Sequence, residues 1–240
     1  MRAVVLAMSI FLTALFAEGA GYLVYRPAKS WGPQESAPLR RANLNQNQVL
    51  ELRKQGFVVE KDQPVFMLQM TNFQHRFLEG GGSGNTTEPP VWPLAAVRSQ
   101  EANALPGGKG EGVSVCLVDS GVDHRHPALA GALQDGRNFV DSRSSSDLAD
   151  VVGHGTAMAT LIAGRAIGDQ PVGIAPAAKI SVAKVVAANG QGSLGALAEG
   201  FRWCMDRGQV INVSLGFNND SQVMRDLMAE AARRGRTVVI

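Results

Sequence analysis

The sequence predicts an α/β fold with three layers, in which a mostly parallel β-sheet is covered by helices on both faces. Apolar runs rich in β-branched residues recur in the second half of the chain, at residues 113–118, 180–186, 210–215 and 237–240. Helical patterns with one apolar face lie between these runs, at residues 157–162, 194–205 and 223–231. Buried strands that alternate with amphipathic helices are typical of βαβ units and of a parallel sheet between two layers of helices.

The individual elements carry their own signals. The sequence VSVCLV at 113–118 is almost continuously apolar, as expected of a strand that is buried on both faces. The last helical pattern is preceded by Ser221, a preferred N-cap, and is followed by Gly235, a preferred helix terminator. The final strand, TVVI, reaches the end of the sequence at Ile240, so we expect a sheet that is incomplete at its C-terminal side.

The composition is that of an ordinary globular protein. Of the 240 residues, 45% are hydrophobic and 18% are charged, and the net charge is only +2. This balance gives no indication of a nucleic-acid partner. Two cysteines cannot build a disulfide framework, and each lies in an apolar segment, so we expect Cys116 and Cys204 to be buried free thiols.

The N-terminus resembles a secretory signal peptide. Arg2 is followed by an uncharged apolar run over 3–17 and then by the small-x-small site Ala17-Glu18-Gly19. The run is shorter than the about 20 apolar residues that span a bilayer comfortably. An uncleaved N-terminal anchor is the alternative for residues 1–19. Both interpretations predict an exported protein, periplasmic or extracellular.

The region that follows, residues 20–78, has weaker signals. A polar, proline-containing stretch over 25–41 is expected to be irregular. A helix is predicted over 45–55, and two short strands are predicted at 57–59 and 65–68.

A Gly/Ser-rich linker separates this region from the α/β pattern. Residues 79–90 are EGGGSGNTTEPP, which contain too little apolar surface to order themselves. We therefore place a domain boundary there and assign residues 91–240 to the α/β domain.

Two polar residues stand where such a fold gathers its functional groups. Asp119 ends the first core strand, and the carboxyl ends of parallel strands are where ligands bind in open α/β sheets. His154 lies between two glycines just before a predicted helix. An aspartate that accepts a hydrogen bond from one imidazole nitrogen leaves the other nitrogen free to take a proton from a nucleophile.

The sequence around these residues resembles the subtilisin-like serine proteases. Four blocks occur in the order of that family, namely VDSGVD at 118–123, GHGT at 153–156, GIAP at 173–176 and VINVSLG at 210–216. The resemblance covers about Trp92 to Ile240. It implies that residues 91–240 are the N-terminal part of a subtilisin-like catalytic domain.

The resemblance assigns roles to particular residues. Asp119 would orient the imidazole of His154, and His154 would act as general base and then as general acid in peptide-bond hydrolysis. The backbones of two segments would flank an extended polypeptide substrate, and these segments are Gly190-Gln191-Gly192 and Ser214-Leu215-Gly216. No cofactor is implied. Many members bind structural calcium through an aspartate after His126-Pro127, but Ala128 stands there, so we expect no metal at that position.

The nucleophile motif of the family, Gly-Thr-Ser-Met-Ala, does not occur in the sequence. Residues 155–160, GTAMAT, imitate it with alanine in place of serine, but they directly follow His154 and so belong to the histidine motif. We therefore expect the 240-residue chain alone to be inactive. The alternative function is that of a catalytically dead, peptide-binding module.

Two further interpretations stay open. Residues 42–76 resemble the inhibitory prodomain of the family weakly, and a plain spacer explains them equally well. Gly190-x-Gly192-x-x-Gly195 has the form of a dinucleotide-binding fingerprint, although the strand that follows lacks the acidic residue that would hold the ribose.

Overall fold

The structure is a computed structural model that describes residues 20–27, 38–67, 92–141 and 144–240. The predicted signal peptide at 1–19 and the linker at 79–90 lie outside these residues. None of the described helices is long and apolar enough to cross a membrane.

Strands and helices are numbered in chain order. The strands are β1 (Ala20–Tyr25), β2 (Arg40–Leu44), β3 (Val58–Lys61), β4 (Pro64–Met67), β5 (Ser114–Asp119), β6 (Leu133–Asn138), β7 (Lys179–Lys184), β8 (Gln191–Ser193), β9 (Val210–Val213), β10 (Leu215–Phe217) and β11 (Thr237–Val239). The helices are α1 (Gln46–Lys54), α2 (Trp92–Ala96), α3 (Ser99–Asn103), α4 (His154–Ala163), α5 (Leu194–Cys204) and α6 (Gln222–Arg233).

A five-stranded parallel sheet forms the centre of the α/β domain. Its strand order is β11-β9-β5-β7-β6, and all four pairings are parallel. The side chains of β5 alternate between two apolar clusters: Cys116 and Val118 pack with α5 and α6, whereas Val115 and Leu117 pack with α4. Helices therefore cover both faces of the sheet, and the predicted fold class is confirmed.

The helix ends follow the local sequence. The Oγ of Ser193 accepts a hydrogen bond from Ala196 N at the start of α5, and that of Ser221 accepts one from Met224 N at the start of α6. Gly235, just beyond α6, has a φ of +67°, a conformation in which glycine avoids the strain of a side chain. The predicted caps of the last helix are thus confirmed.

The segment 210–215 forms two strands rather than the single strand expected. Residues Val210–Val213 belong to the parallel sheet, whereas Leu215–Phe217 belong to a separate three-stranded sheet of order β10-β4-β8. Ser214 lies between them, and its Oγ accepts a hydrogen bond from the Asn212 amide at 3.0 Å. The chain therefore changes sheets at Ser214.

A small N-terminal unit packs against α5 and α6. Its antiparallel sheet has the order β2-β1-β3, and α1 begins with a capping box between Asn45 and Gln48. The helix and the two strands predicted in this region are present, although Leu68 lies outside the described residues. The expectation that 25–41 is irregular is wrong at both ends, because Tyr25 ends β1 and Arg40 begins β2. These strands form by pairing between segments that are distant in sequence, and a local sequence pattern cannot indicate such pairing.

Cys116 and Cys204 form a disulfide bond, so the expectation of two free thiols is wrong. Both side chains are fully buried, as the apolar surroundings indicated. The bond joins the central strand β5 to the last residue of α5, across 88 positions of sequence. The fold brings the two Cα atoms to 5.4 Å, within the normal range for a disulfide.

Candidate active site

The predicted pair meets at the carboxyl end of the central strand. Asp119 is the last residue of β5 and His154 is the first residue of α4. The imidazole Nδ1 lies 2.7 Å from Oδ1 of the carboxylate, and the two side chains are 1% and 0% exposed. Burial excludes competing water, so this hydrogen bond fixes both groups.

A glycine allows this close approach. A Cβ atom at Gly155 would lie 2.1 Å from the carbonyl oxygen of Gly121 and 3.2 Å from Oδ1 of Asp119. The first of these contacts is with backbone, which cannot move aside cheaply. Only glycine lets the first turn of α4 lie this close to the end of β5.

The electrostatics of the pair follow from burial and from the contact itself. Burial raises the pKa of the Asp119 carboxyl, and the hydrogen bonds from His154 and from Ser120 N, the latter at 2.7 Å, offset part of this increase. Burial alone would lower the pKa of His154. The hydrogen bond and the negative charge of Asp119, together with the charge of Asp150, outweigh burial and raise that pKa above its usual value.

The second imidazole nitrogen is available for chemistry. Nε2 of His154 is buried and makes no hydrogen bond to any residue that the structure describes. When Nδ1 carries the proton and donates a hydrogen bond to Asp119, Nε2 has a free lone pair. The pair can therefore accept a proton at Nε2 and stabilise the resulting imidazolium.

The two predicted substrate segments lie on either side of one extended strand, and that strand is β4 of the same chain. On one side Gly192 pairs with Val65 and Gln191 pairs with Phe66, in antiparallel register. On the other side Gly216 also pairs with Phe66.

The remaining residues of these segments lie at the ends of the pairing. Leu215 pairs with Met67, and Ser214 precedes this strand. Gly190 lies in the turn before β8, with φ at +79°, and a Cβ atom there would be 3.5 Å from the terminal methyl group of Met67. Both predicted segments thus border β4, and the space that β4 fills between β8 and β10 is here called the groove.

The side chains of β4 face in alternating directions. Val65 is fully buried and belongs to the apolar cluster under α5, whereas Phe66 is 43% exposed. The strand β4 therefore buries one of these two neighbouring side chains and exposes the other, while its backbone pairs on both edges.

Sequence reasoning missed Asp150 and the partners of β4. The Asp150 carboxylate accepts hydrogen bonds from Ser120, next to Asp119, and from Gly153, next to His154, but no periodicity or motif marks it. The pattern at 65–68 indicated a strand, yet only the three-dimensional arrangement reveals that it lies between β8 and β10.

The sequence predicts no metal at Ala128, which lies in the turn after the first core strand. Ala128 is fully buried in a short 3-10 turn over Pro127–Leu129. Among the residues that the structure describes, no group of three or more His, Cys, Asp or Glu side chains could hold a metal ion.

Comparison with known proteins agrees with this architecture. The model of the subtilase family matches residues 110–240, a stretch that includes the end of β5, the start of α4 and both edges of the groove.

Relatives occur in fungi and bacteria. A subtilisin-like protease of Coccidioides posadasii is 40% identical over 137 residues, which are 52% of this chain and 32% of that protein. Subtilisin-like protease 3 of Arthroderma benhamiae is 33% identical over 65% of this chain and 40% of its own length. Subtilisin Savinase of Lederbergia lenta is 34% identical over 62% of this chain and 53% of its own length. The chain thus spans between about a third and about half of these relatives.

A parallel α/β sheet with a buried aspartate–imidazole pair at its carboxyl edge is the arrangement expected of the subtilisin-like class. With the family model matching more than half of its residues, the chain belongs to the subtilase family.

Proposed function

We propose that the protein is a serine endopeptidase of the subtilisin type and that Asp119 and His154 are two members of its Asp-His-Ser triad. The observation that carries this proposal is the buried contact of 2.7 Å between the carboxylate and Nδ1. The nucleophilic serine belongs, in this proposal, to a part of the protein that follows Ile240.

The proposed reaction uses Nε2 of His154 as the proton carrier. Nε2 takes the serine proton while the serine oxygen attacks the carbonyl carbon of the peptide bond, and then gives it to the departing amine. Water then attacks the acyl-enzyme: Nε2 takes a proton from the water and passes it to the departing serine oxygen. Asp119 holds the tautomer that leaves Nε2 unprotonated and stabilises the imidazolium that forms.

The proposed substrate is an extended polypeptide. Support comes from the register of β4, whose residues Val65 and Phe66 pair with Gly192 and Gly216 on opposite sides. A substrate strand would take this place and pair in the same way. Because β4 occupies the groove, the N-terminal unit and a substrate would exclude each other.

We further propose that the N-terminal region 20–78, which contains the prodomain-like residues 42–76, acts as a propeptide. Carboxylates of the unit meet helix N-termini: Oδ1 of Asp62 accepts from Gly195 N at 2.9 Å, and Oε2 of Glu60 accepts from Val223 N at 3.0 Å. In addition Arg41 forms an ion pair with Glu199 at 2.7 Å. These contacts hold β4 in the groove, which supports inhibition by occupancy.

Inhibition of the active enzyme by the separate segment tests the propeptide. Residues 20–90, added to a whole gene product from which this segment has been cleaved, are expected to inhibit it competitively against a peptide substrate. Absence of inhibition at saturating concentration would leave only the spacer interpretation.

Export is proposed on two grounds. The first is the signal-like pattern of residues 1–19, and the second is the buried disulfide between Cys116 and Cys204. Disulfides form and persist in oxidising compartments, whereas the cytosol keeps thiols reduced.

The alternative of nucleotide binding gains no support from the turn around Gly195. The backbone N–H of Gly195 donates to the carboxylate of Asp62, where the fingerprint would place a pyrophosphate. A carboxylate at this point repels phosphate groups.

Activity of the whole gene product tests the proposed function. The reading frame beyond Ile240 is expected to encode a serine in a Gly-Thr-Ser-Met-Ala context, and the product should hydrolyse casein and react with a fluorophosphonate probe. A stop codon directly after Ile240, or a product that cleaves nothing and does not react, would favour a peptide-binding module instead.

A further inference from the structure

A carboxylate beside the candidate active site accepts four hydrogen bonds. Oδ1 of Asp150 accepts from the hydroxyl of Ser120 at 2.8 Å and from Gly153 N at 2.9 Å. Oδ2 accepts from the backbone N–H of Thr156 at 2.8 Å and from its hydroxyl at 2.7 Å. Every one of these donors would lose its acceptor if the carboxylate were removed.

These donors are sequence neighbours of both members of the candidate pair. Ser120 directly follows Asp119, and Gly153 directly precedes His154. Thr156 lies in the first turn of the helix that His154 begins. One carboxylate thus connects the end of β5 to the beginning of α4.

The two hydroxyl groups extend this network. The Ser120 hydroxyl belongs to a residue that is 1% exposed, and its Oγ also accepts a hydrogen bond from Gly155 N at 3.0 Å. The Thr156 hydroxyl accepts one from Asp123 N at 2.9 Å. Each hydroxyl therefore accepts a hydrogen bond from one backbone N–H and donates one to Asp150, so its orientation is fixed.

The loop that carries Asp150 is itself anchored to the sheet. The carbonyl oxygen of Leu148 accepts from Val122 N at 2.8 Å, and that of Ala149 accepts from the ammonium group of Lys184. Lys184 ends β7 and lies beside Asp119 in the parallel register. The carboxylate therefore has a fixed position relative to β5.

We propose that Asp150 is a positioning residue for proton transfer, which holds the imidazole of His154 within hydrogen-bond distance of Asp119 and favours the imidazolium form by its negative charge. The proposal rests on the proposed function of the site. Its support is geometric, and the direction of the electrostatic effect agrees with it, because the charge of Asp150 contributes to the raised pKa of His154.

A purely structural role would be that of a cap for the N-terminus of α4. Such a cap lowers the stability of the fold when it is lost, but it leaves the imidazole in place. The charge of Asp150 acts on the pKa of His154 in either role, so the two roles are separated by kcat and by Thr156→Val, which removes a hydrogen bond to the carboxylate and keeps its charge. Only a positioning role predicts a lower pKa of His154 in Thr156→Val, and this titration does not depend on a nucleophile.

The first experiment measures the pKa of His154 from the pH dependence of its imidazole carbon-bound proton resonances. We expect a lower pKa in Asp150→Asn than in the parent chain, because a negative charge and a fixed geometry are both lost. Asp147→Asn is the matched control: it removes an exposed carboxylate from the same loop, whose Oδ1 accepts from Ala149 N at 3.0 Å and from neither neighbour of the pair. This control should keep the parent pKa.

The second experiment measures kinetics in the whole gene product. Asp150→Asn should lower kcat on the order of 100-fold, as a displaced catalytic group does, with KM within about twofold of the parent. The acid limb of its pH–rate profile should move to lower pH. Asp147→Asn should show parent kinetics.

A second pair of variants covers the case in which Asp150→Asn does not fold. Thr156→Val removes one of the four hydrogen bonds to Asp150, together with the one from Asp123 N, and should change the pKa of His154 in the same direction by a smaller amount. Thr156→Ser keeps the hydroxyl and should lie between Thr156→Val and the parent.

The outcomes separate this proposal from the proposed function. If Asp150→Asn changes only the melting temperature, and the pKa of His154 and kcat stay at parent values, the positioning role is overturned. If Asp150→Asn is unfolded, an unchanged pKa of His154 in Thr156→Val overturns it. A parent protein without protease activity refutes the proposed function, whereas the titration of His154 still decides the role of Asp150.

Discussion

Oδ1 of Asp119 and Nδ1 of His154 lie 2.7 Å apart although 35 positions of sequence separate the two residues. The contact forms because β5 ends and α4 begins at the same edge of the parallel sheet. Both side chains are buried, so neither charge nor hydrogen bond is screened by water.

Loss of either partner should abolish catalysis in the whole gene product. His154→Ala removes the proton carrier, and Asp119→Asn favours the wrong tautomer, a change that costs on the order of 10⁴-fold in kcat in a Ser-His-Asp protease. Steady-state hydrolysis of a peptide substrate measures both effects. His124→Ala, at an exposed residue outside the pair, is the control and should retain activity. Near-normal turnover in His154→Ala would contradict the assignment.

The pH–rate profile should report the raised pKa of His154. Burial lowers this pKa, but the hydrogen bond and charge of Asp119 outweigh burial, so the folded protein holds the imidazole proton more tightly than a free histidine does. The general base must be unprotonated. The acid limb of kcat/KM should therefore lie above about pH 6.5, the usual value for histidine. A limb centred below that value would contradict the sign of the shift.

Removal of the disulfide should destabilise the protein. The bond between Cys116 and Cys204 closes a loop of 88 positions, and a crosslink across a loop of this length stabilises the folded state by about 4.6 kcal/mol through the entropy of the unfolded chain. The double variant Cys116→Ala/Cys204→Ala should therefore lower the free energy of unfolding in urea by about 2–5 kcal/mol.

Thiol titration tests the crosslink itself. The parent protein, denatured without reductant, should contain no reactive thiol, and two should appear after reduction. Two free thiols in the unreduced protein would show that the cysteines are not bonded to each other.

A methyl group at position 155 should disturb the site. In Gly155→Ala the new Cβ would lie 2.1 Å from the carbonyl oxygen of Gly121, so the start of α4 must move away from β5. Overpacking of this kind costs about 1–3 kcal/mol, and kcat should fall with it. Gly21→Ala is the control, because its Cβ would be no closer than 3.7 Å to its neighbours. A stable, fully active Gly155→Ala protein would show that α4 and β5 do not approach each other this closely.

A charge on the buried face of β4 should release the N-terminal unit. Val65 is fully buried, so Val65→Asp places a carboxylate in an apolar cluster, whereas Phe66→Asp changes a side chain that is 43% exposed. Amide hydrogen exchange of β4 should become faster in Val65→Asp and should change little in Phe66→Asp. Equal protection in both variants would mean that β4 does not bury Val65 in the groove.

The sequence was sufficient for the elements whose signals are local. The strand that ends at Asp119 is continuously apolar, and the helix after Ser221 has its apolar face and both caps. The strand β6 (Leu133–Asn138, LQDGRN) lacks such a pattern because it is a half-exposed edge strand, defined by its pairing with β7. Its formation depends on a neighbour that only the tertiary structure supplies.

The same distinction between local and tertiary signals holds for the residues of the candidate site. Asp119 and His154 could be found because each is flanked by glycine-containing motifs of a known family. The role of Asp150 could not be found, since it consists of contacts with residues up to 30 positions away. The disulfide was missed for a similar reason: burial of Cys116 follows from local sequence, but its distance from Cys204 follows from the packing of α5 on β5.

The tautomer of His154 tests the central claim most directly. ¹⁵N-labelled imidazole resonances, measured above the pKa of this residue, distinguish a proton on Nδ1 from one on Nε2. We predict a proton on Nδ1 that is protected from exchange in the parent chain and loses this protection in Asp119→Asn. A proton on Nε2 in the parent, or a titration of His154 that Asp119→Asn leaves unchanged, would contradict the claim that Asp119 orients His154 for proton transfer.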